Sequence, residues 1–145
     1  LISGVYSLVK YKVIGTKEKS SQIFLWCTFI AAATALAIFA RGTFGPAHVL
    51  AILTLMALAT GMIAAKTKIL GKLSPYEQAM SFSATFLFHM IPAITDGLMR
   101  LPAGNPIVTN IEDPLLRGFY LGFLITYVVG FLWQVMWLRK QAATA

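Results

Sequence analysis

Four apolar runs, each near the ~20 residues that cross a hydrocarbon core, constrain this 145-residue chain more than any other feature. They fall at about 22–40, 46–65, 75–99 and 118–138. Only 12% of the residues are charged against 58% apolar, whereas a water-soluble domain carries roughly a quarter charged. The pattern predicts an all-α integral membrane protein, a single four-helix bundle with no extramembrane domain.

The loops carry the charge. Lys10, Lys12, Lys17 and Lys19 precede the first run, Lys66, Lys68 and Lys72 separate the second from the third, and Arg139 and Lys140 follow the fourth. The other side holds only Arg41, Arg100 and Arg117, offset by Asp96, Glu112 and Asp113. The positive-inside rule then places both ends in the cytoplasm, N-in and C-in, in a cell inner membrane. The net charge of +7 implies no nucleic acid, because the basic residues form no patch interleaved with exposed aromatics. Its expected partner is the anionic lipid of the cytoplasmic face.

Residues 1–20 mix Leu1, Ile2, Val5, Leu8 and Val9 with the four lysines. This suits a segment lying at the membrane interface, or the end of a helix that starts upstream. The chain begins at Leu1, without methionine, so a processed or partial product is expected, and no secretory cleavage pattern is evident. Arg41 and Gly42 are expected to end the first span, and Pro46 to open the second, where a missing N–H costs nothing. Ser74, Pro75 and Glu77 predict a capping box at the start of the third helix. Pro92 is expected to kink that helix rather than stop it. The proline-rich stretch 101–117 reads as an extended non-cytoplasmic loop, with Glu112 and Asp113 as a solvated acidic turn. Trp133 and Trp137 read as interface anchors before Arg139. Cys27, the sole cysteine, lies within a span and is expected to pack there; it excludes disulfide frameworks and thiolate clusters.

Three constellations could carry function. Gln78, Ser81, Thr85, His89, Pro92 and Asp96 recur at spacings of three or four, so they share one face of the third helix. That face is either hydrogen-bonded glue between helices or a pocket open toward the non-cytoplasmic side. Asp96 and Arg100, at i and i+4, can pair and close it. His48 and His89 fall in the same membrane half if spans two and three are antiparallel, which makes a bis-imidazole haem b conceivable. Their levels differ by about 8 Å at 1.5 Å per residue. The competing fate is that each histidine caps a helix or bonds a neighbour. Finally, Gly118, Gly122, Thr126 and Gly130 repeat every four residues and form a helix-packing strip, expected to serve inside the bundle before serving another subunit.

No glycine-rich phosphate loop, nucleophile elbow or HExxH motif appears, so neither a catalytic residue nor a metal site is read. The segment Phe44-Gly45-Pro46-Ala47-His48-Val49-Leu50, followed by Leu53-Thr54-Leu55 and Gly61, resembles the helix opening of small bacterial multi-pass membrane proteins of the DUF2306 type. The resemblance covers the middle third of the chain, and that family has no settled function. A second histidine that it implies before Met80 is absent, with Tyr76 nearby, so only His48 is carried over, as a candidate polar group.

The expected role is binding, as an accessory or structural subunit packed against a larger inner-membrane complex of the energy-transducing kind, with other membrane subunits as partners. The alternative is a haem b- or quinone-binding redox protein using His48, His89, Asp96 and Arg100. A small transporter stands third.

Overall fold

A computed structural model describes residues 1–37, 44–67 and 70–144. The regular elements among them are helices: α1 (Ile2–Tyr11), α2 (Lys19–Ala37), α3 (Pro46–Thr67), α4 (Ser74–Arg100, continuous with a 3-10 turn at Gly71–Leu73) and α5 (Pro114–Thr144). Of these, α2, α3 and α5 are long and apolar enough to cross a membrane, so the chain is an all-helical transmembrane protein. Ala40, Arg41, Gly42 and Lys68, which bear on expected span ends, lie outside the described residues.

Helix α3 shows how the spans meet. It is apolar on all sides, yet its buried positions are His48, Ala51, Thr54, Leu58, Gly61 and Ala64, a single stripe at spacings of three and four. Large side chains such as Met56 and Ile63 point outward. In hydrocarbon, burying a leucine gains little over leaving it in lipid, so contact faces select small residues that allow close approach. Gly61 does this against α4, where an added Cβ would lie 2.5 Å from the Phe82 ring. Phe82 is fully buried and joins Phe24, Leu25, Leu58 and Ile14 in the core.

Helix α4 is central. It packs most extensively on α3 and then on α5, reaches α2 through the stacked Phe24 and Phe86 rings, 4.5 Å apart, and reaches α1 at Gly4, wedged against the same two rings. Helices α3 and α4 run antiparallel, since α3 ends at Thr67 and α4 begins at Ser74, and their level is set where Thr60 bonds Ser81 and Gly61 faces Phe82. Phe86 therefore stands near mid-height of α3, and so does Gly4. Residues 1–20 accordingly do not lie flat across the helix ends. Helix α1 descends between its neighbours, held by the 2.8 Å Ser7–Ser20 bond, and Ile14 seals the top with its carbonyl accepting from Gln78.

Several local expectations are corrected. Ser74 does not cap α4. The 3-10 turn already places Leu73 and Ser74 in right-handed helical conformation, whereas a capping residue needs extended geometry; Glu77 accepts from Ser81 instead. Asp113, read as part of a solvated turn, caps α5: its carboxylate accepts the Leu115 N–H at 2.8 Å, and Pro114 occupies the first helical position, where its missing N–H is harmless. The helix thus starts four residues before the expected span and runs on to Thr144. Residues 101–113 fold back on α4, burying Val108 and donating its N–H to the Leu98 carbonyl. Cys27 is exposed rather than packed. Helix α4 continues through Pro92, as expected, and Thr95 returns a hydroxyl to the Ile91 carbonyl.

Gly61→Leu is expected to lower stability by about 1–3 kcal/mol, the usual cost of overpacking, seen as a lower melting temperature in detergent. Gly97→Ala, with nothing within 4 Å of its Cβ, tests the converse: its melting point should stay near wild type, since alanine also gains helix propensity.

Candidate functional site

The polar stripe of α4 is largely consumed in holding helices. Gln78 bonds the Ile14 carbonyl, Ser81 joins Glu77 and Thr60, and fully buried Thr85 donates to its own helix at Phe82. Asp96 and Arg100 form the expected i, i+4 ion pair on an exposed surface, where such pairs contribute little. Arg117 and Glu112 make a second, looser exposed pair at 4.0 Å.

The two histidines are both engaged by their own helices. At the start of α3 the Gly45 N–H donates to His48 Nδ1 at 3.1 Å. His48 thereby takes the part that Glu or Gln plays in a capping box, reaching back from the third helical position to the residue before the helix. Phe44 stacks on its ring. An accepting Nδ1 requires the ring hydrogen on Nε2, which leaves no lone pair there for a metal while the cap stands. His89 Nδ1 lies 2.9 Å from the Thr85 carbonyl, to which it must donate. The α3–α4 register sets His48 opposite residues 93–95, about 6–9 Å along the axis from His89. The structure therefore does not bring the two imidazoles to one level, and among the described residues no three His, Cys, Asp or Glu side chains converge.

The most specific polar pairing lies one helical step off that stripe. Ser83 and Gln134 exchange hydrogen bonds of 3.0 and 3.1 Å between α4 and α5, and both are buried. Thr95 bonds Tyr120 at 2.6 Å farther along the same seam. Sequence reasoning passed over them because a stripe was sought on one helix. The available signal was Gln134 itself, a lone amide between two tryptophans in an apolar run, since a buried amide demands a partner.

Beside this pair, α1, α4 and α5 enclose a groove of about 470 Å³, lined by Val5, Leu8, Phe86, Met90, Phe123 and Gly130 among others, with Lys12 and Trp133 at one end. Its walls are almost wholly apolar. Lys12 adopts the left-handed conformation (φ 66°) that ends α1, and its ammonium sits 5.2 Å from the Trp133 ring centre. On the outer face of α1, the Tyr6 hydroxyl, 3.0 Å from the Lys10 ammonium, holds that lysine above its ordinary pKa, with Tyr11 adding to the effect.

The glycine strip borders this groove at Thr126 and Gly130 and continues outward along α5 to Gly118. An added Cβ at Gly118, Gly122 or Gly130 meets nothing within 4 Å, and Thr126 is exposed, its hydroxyl turned to the Gly122 carbonyl. The strip is not used inside the bundle, contrary to the first expectation for it. Of 31 residues in α5, only Leu116 and Gln134 are buried.

No protein-family model, curated protein or solved structure matches this chain.

Removing one partner of the Ser83–Gln134 pair strands a buried polar group, at a cost of about 1–3 kcal/mol. Gln134→Leu should be destabilised by that order, and Ser83→Ala with Gln134→Leu should recover part of the loss. A double-mutant cycle on detergent unfolding checks this; couplings of about 0.6–1.7 kcal/mol are typical in membranes.

Proposed function

We propose that this chain is a four-span inner-membrane protein with both ends in the cytoplasm, acting by binding as an accessory subunit of a larger membrane complex, of the energy-transducing kind. The observation that carries the reading is the uncovered face of α5, with Gly118, Gly122 and Gly130 opening on empty space. Glycine in a helix interior costs about 1 kcal/mol relative to alanine, and against lipid it returns nothing. Against the backbone of another helix it permits close approach. A partner's transmembrane helix laid along this strip gives the glycines a use that the bundle itself does not make of them.

The fourth crossing in this reading is α4. Its polar stripe makes it less apolar than the other spans, a tolerable feature in a helix surrounded by α1, α2, α3 and α5, because its neighbours rather than lipid meet its polar groups. The orientation rests on the basic residues. Ile14 meets Gln78, Lys12 meets Trp133, and Ser83 meets Gln134, so the lysines after α1 and the Arg139–Lys140 end of α5 share one side of the array. The DUF2306-type likeness around His48 agrees with a small bacterial membrane protein and adds no activity; the capping role of His48 accounts for that residue at the helix opening.

Extraction in mild detergent followed by native electrophoresis is expected to show the chain in an assembly larger than a lone bundle. Gly122→Leu should release it while leaving the stability of the isolated chain within about 0.5 kcal/mol of wild type, as for surface substitutions. Migration of the wild-type chain as a lone bundle from native membranes would overturn the reading.

A further inference from the structure

The groove between α1, α4 and α5 has a polarity and a length that single out an occupant. Its lining runs along α5 from Phe123 to Trp133, about 15 Å at 1.5 Å per residue, which is half of a ~30 Å hydrocarbon core. The groove is therefore one leaflet deep. Its far end at Met90 and Phe123 holds one hydroxyl, that of Thr126, which donates to the Gly122 carbonyl; along the wall Tyr127 donates to the Met80 carbonyl, and Ser83 and Gln134 satisfy each other. The near end is different. Lys12 stands there with its ammonium between the Val9 carbonyl, 3.0 Å away, and the face of Trp133. Among the described residues its ammonium makes no ion pair; the two ion pairs lie at Asp96–Arg100 and Glu112–Arg117, at the opposite end. Arg139 and Lys140 follow Trp133 by less than two turns, so the mouth of the groove is cationic.

We infer that this groove is a binding site for one anionic phospholipid of the leaflet on the basic side, with an acyl chain between α1 and α5 and the headgroup phosphate at Lys12. A ligand with hydrogen-bond acceptors at both ends, such as a quinone, would meet beyond the mouth only hydroxyls whose hydrogens are already given to backbone carbonyls. A zwitterionic lipid would fit the walls equally well but would bring a second cation toward Lys12. Charge complementarity thus selects a net-anionic headgroup, and the left-handed turn at Lys12 is what returns that side chain to the groove's rim. The site adjoins the glycine strip, sharing Thr126 and Gly130 with it and leaving Gly118 and Gly122 to the α5 partner, and it needs only that the chain be embedded in a bilayer.

The test uses the full chain with Trp26→Phe and Trp137→Phe, so that Trp133 is the sole indole, reconstituted in equimolar vesicles of phosphatidylglycerol and phosphatidylcholine. One lipid or the other carries brominated acyl chains, which quench indole at contact. Quenching is expected to report a preference for phosphatidylglycerol of about fivefold, the size expected from one lysine at an anionic surface. Lys12→Gln should reduce it to near unity, and Lys12→Arg should keep it. Gly130→Phe, which places a ring where the glycine leaves open space, should abolish the preference without loss of folding. Equal quenching by the two lipids in the parent protein, or a preference that survives Lys12→Gln, would overturn the proposal, as would relief of quenching by added ubiquinone at low mole fraction.

Discussion

Helix α4 carries more polar groups than the three apolar helices α2, α3 and α5, and the rest of the molecule is arranged around satisfying them. Gln78, Ser81, Ser83, Thr85, His89 and Thr95 each need a partner where neighbouring helices exclude water, and Pro92 removes a backbone donor from the helix ladder. Partners come from α3 (Thr60), from the segment after α1 (Ile14) and from α5 (Gln134 and Tyr120), or from α4's own carbonyls. A helix with such demands is best placed at the centre, and α4 touches all four others. The less polar helices accept the lipid-facing positions.

Close approach makes this possible. Gly61 seats Phe82, Gly4 fits against Phe24 and Phe86, and the two phenylalanines stack across α2 and α4. Without a hydrophobic drive between spans, such contacts work through dispersion and fit, so the small residues are as important to the core as the rings. The same logic gives meaning to the glycines of α5 that touch nothing. A small residue in a membrane helix is an opportunity for contact, and on α5 the bundle leaves it unused. The groove that adjoins the strip at Gly130 is the complementary case, where large rings stand apart and leave a space with a cation at its mouth.

The histidines show how a chemical group can be drawn into scaffolding. His48 completes the first turn of α3, and His89 returns its Nδ1 hydrogen to α4. Neither position required a cofactor to make sense of an imidazole. A helix start in an apolar setting leaves orphan N–H groups whose partners must come from the protein itself, and the Gly45–His48 bond supplies one.

The amino-acid order by itself determined the rough positions of the four long helices, because apolar continuity is a property of a single segment, but it did not give α1 as a fifth helix packed among them. It also determined the i, i+4 pair of Asp96 and Arg100 and the passage of α4 through Pro92, which are local. It misplaced the start of α5 because the Asp113–Pro114 cap was read as loop chemistry, and it assigned Ser74 a capping role that the preceding 3-10 turn denies. Tertiary structure alone decided which face of each apolar helix is inside. Helices apolar on every side carry no directional signal, so the burial of Gly61 and the exposure of Gly122 follow from where neighbours lie. The Ser83–Gln134 bond, the descent of α1 to mid-height and the groove ending at Lys12 likewise join residues far apart in sequence. No spacing rule within one helix could have revealed them, since each depends on the register between two.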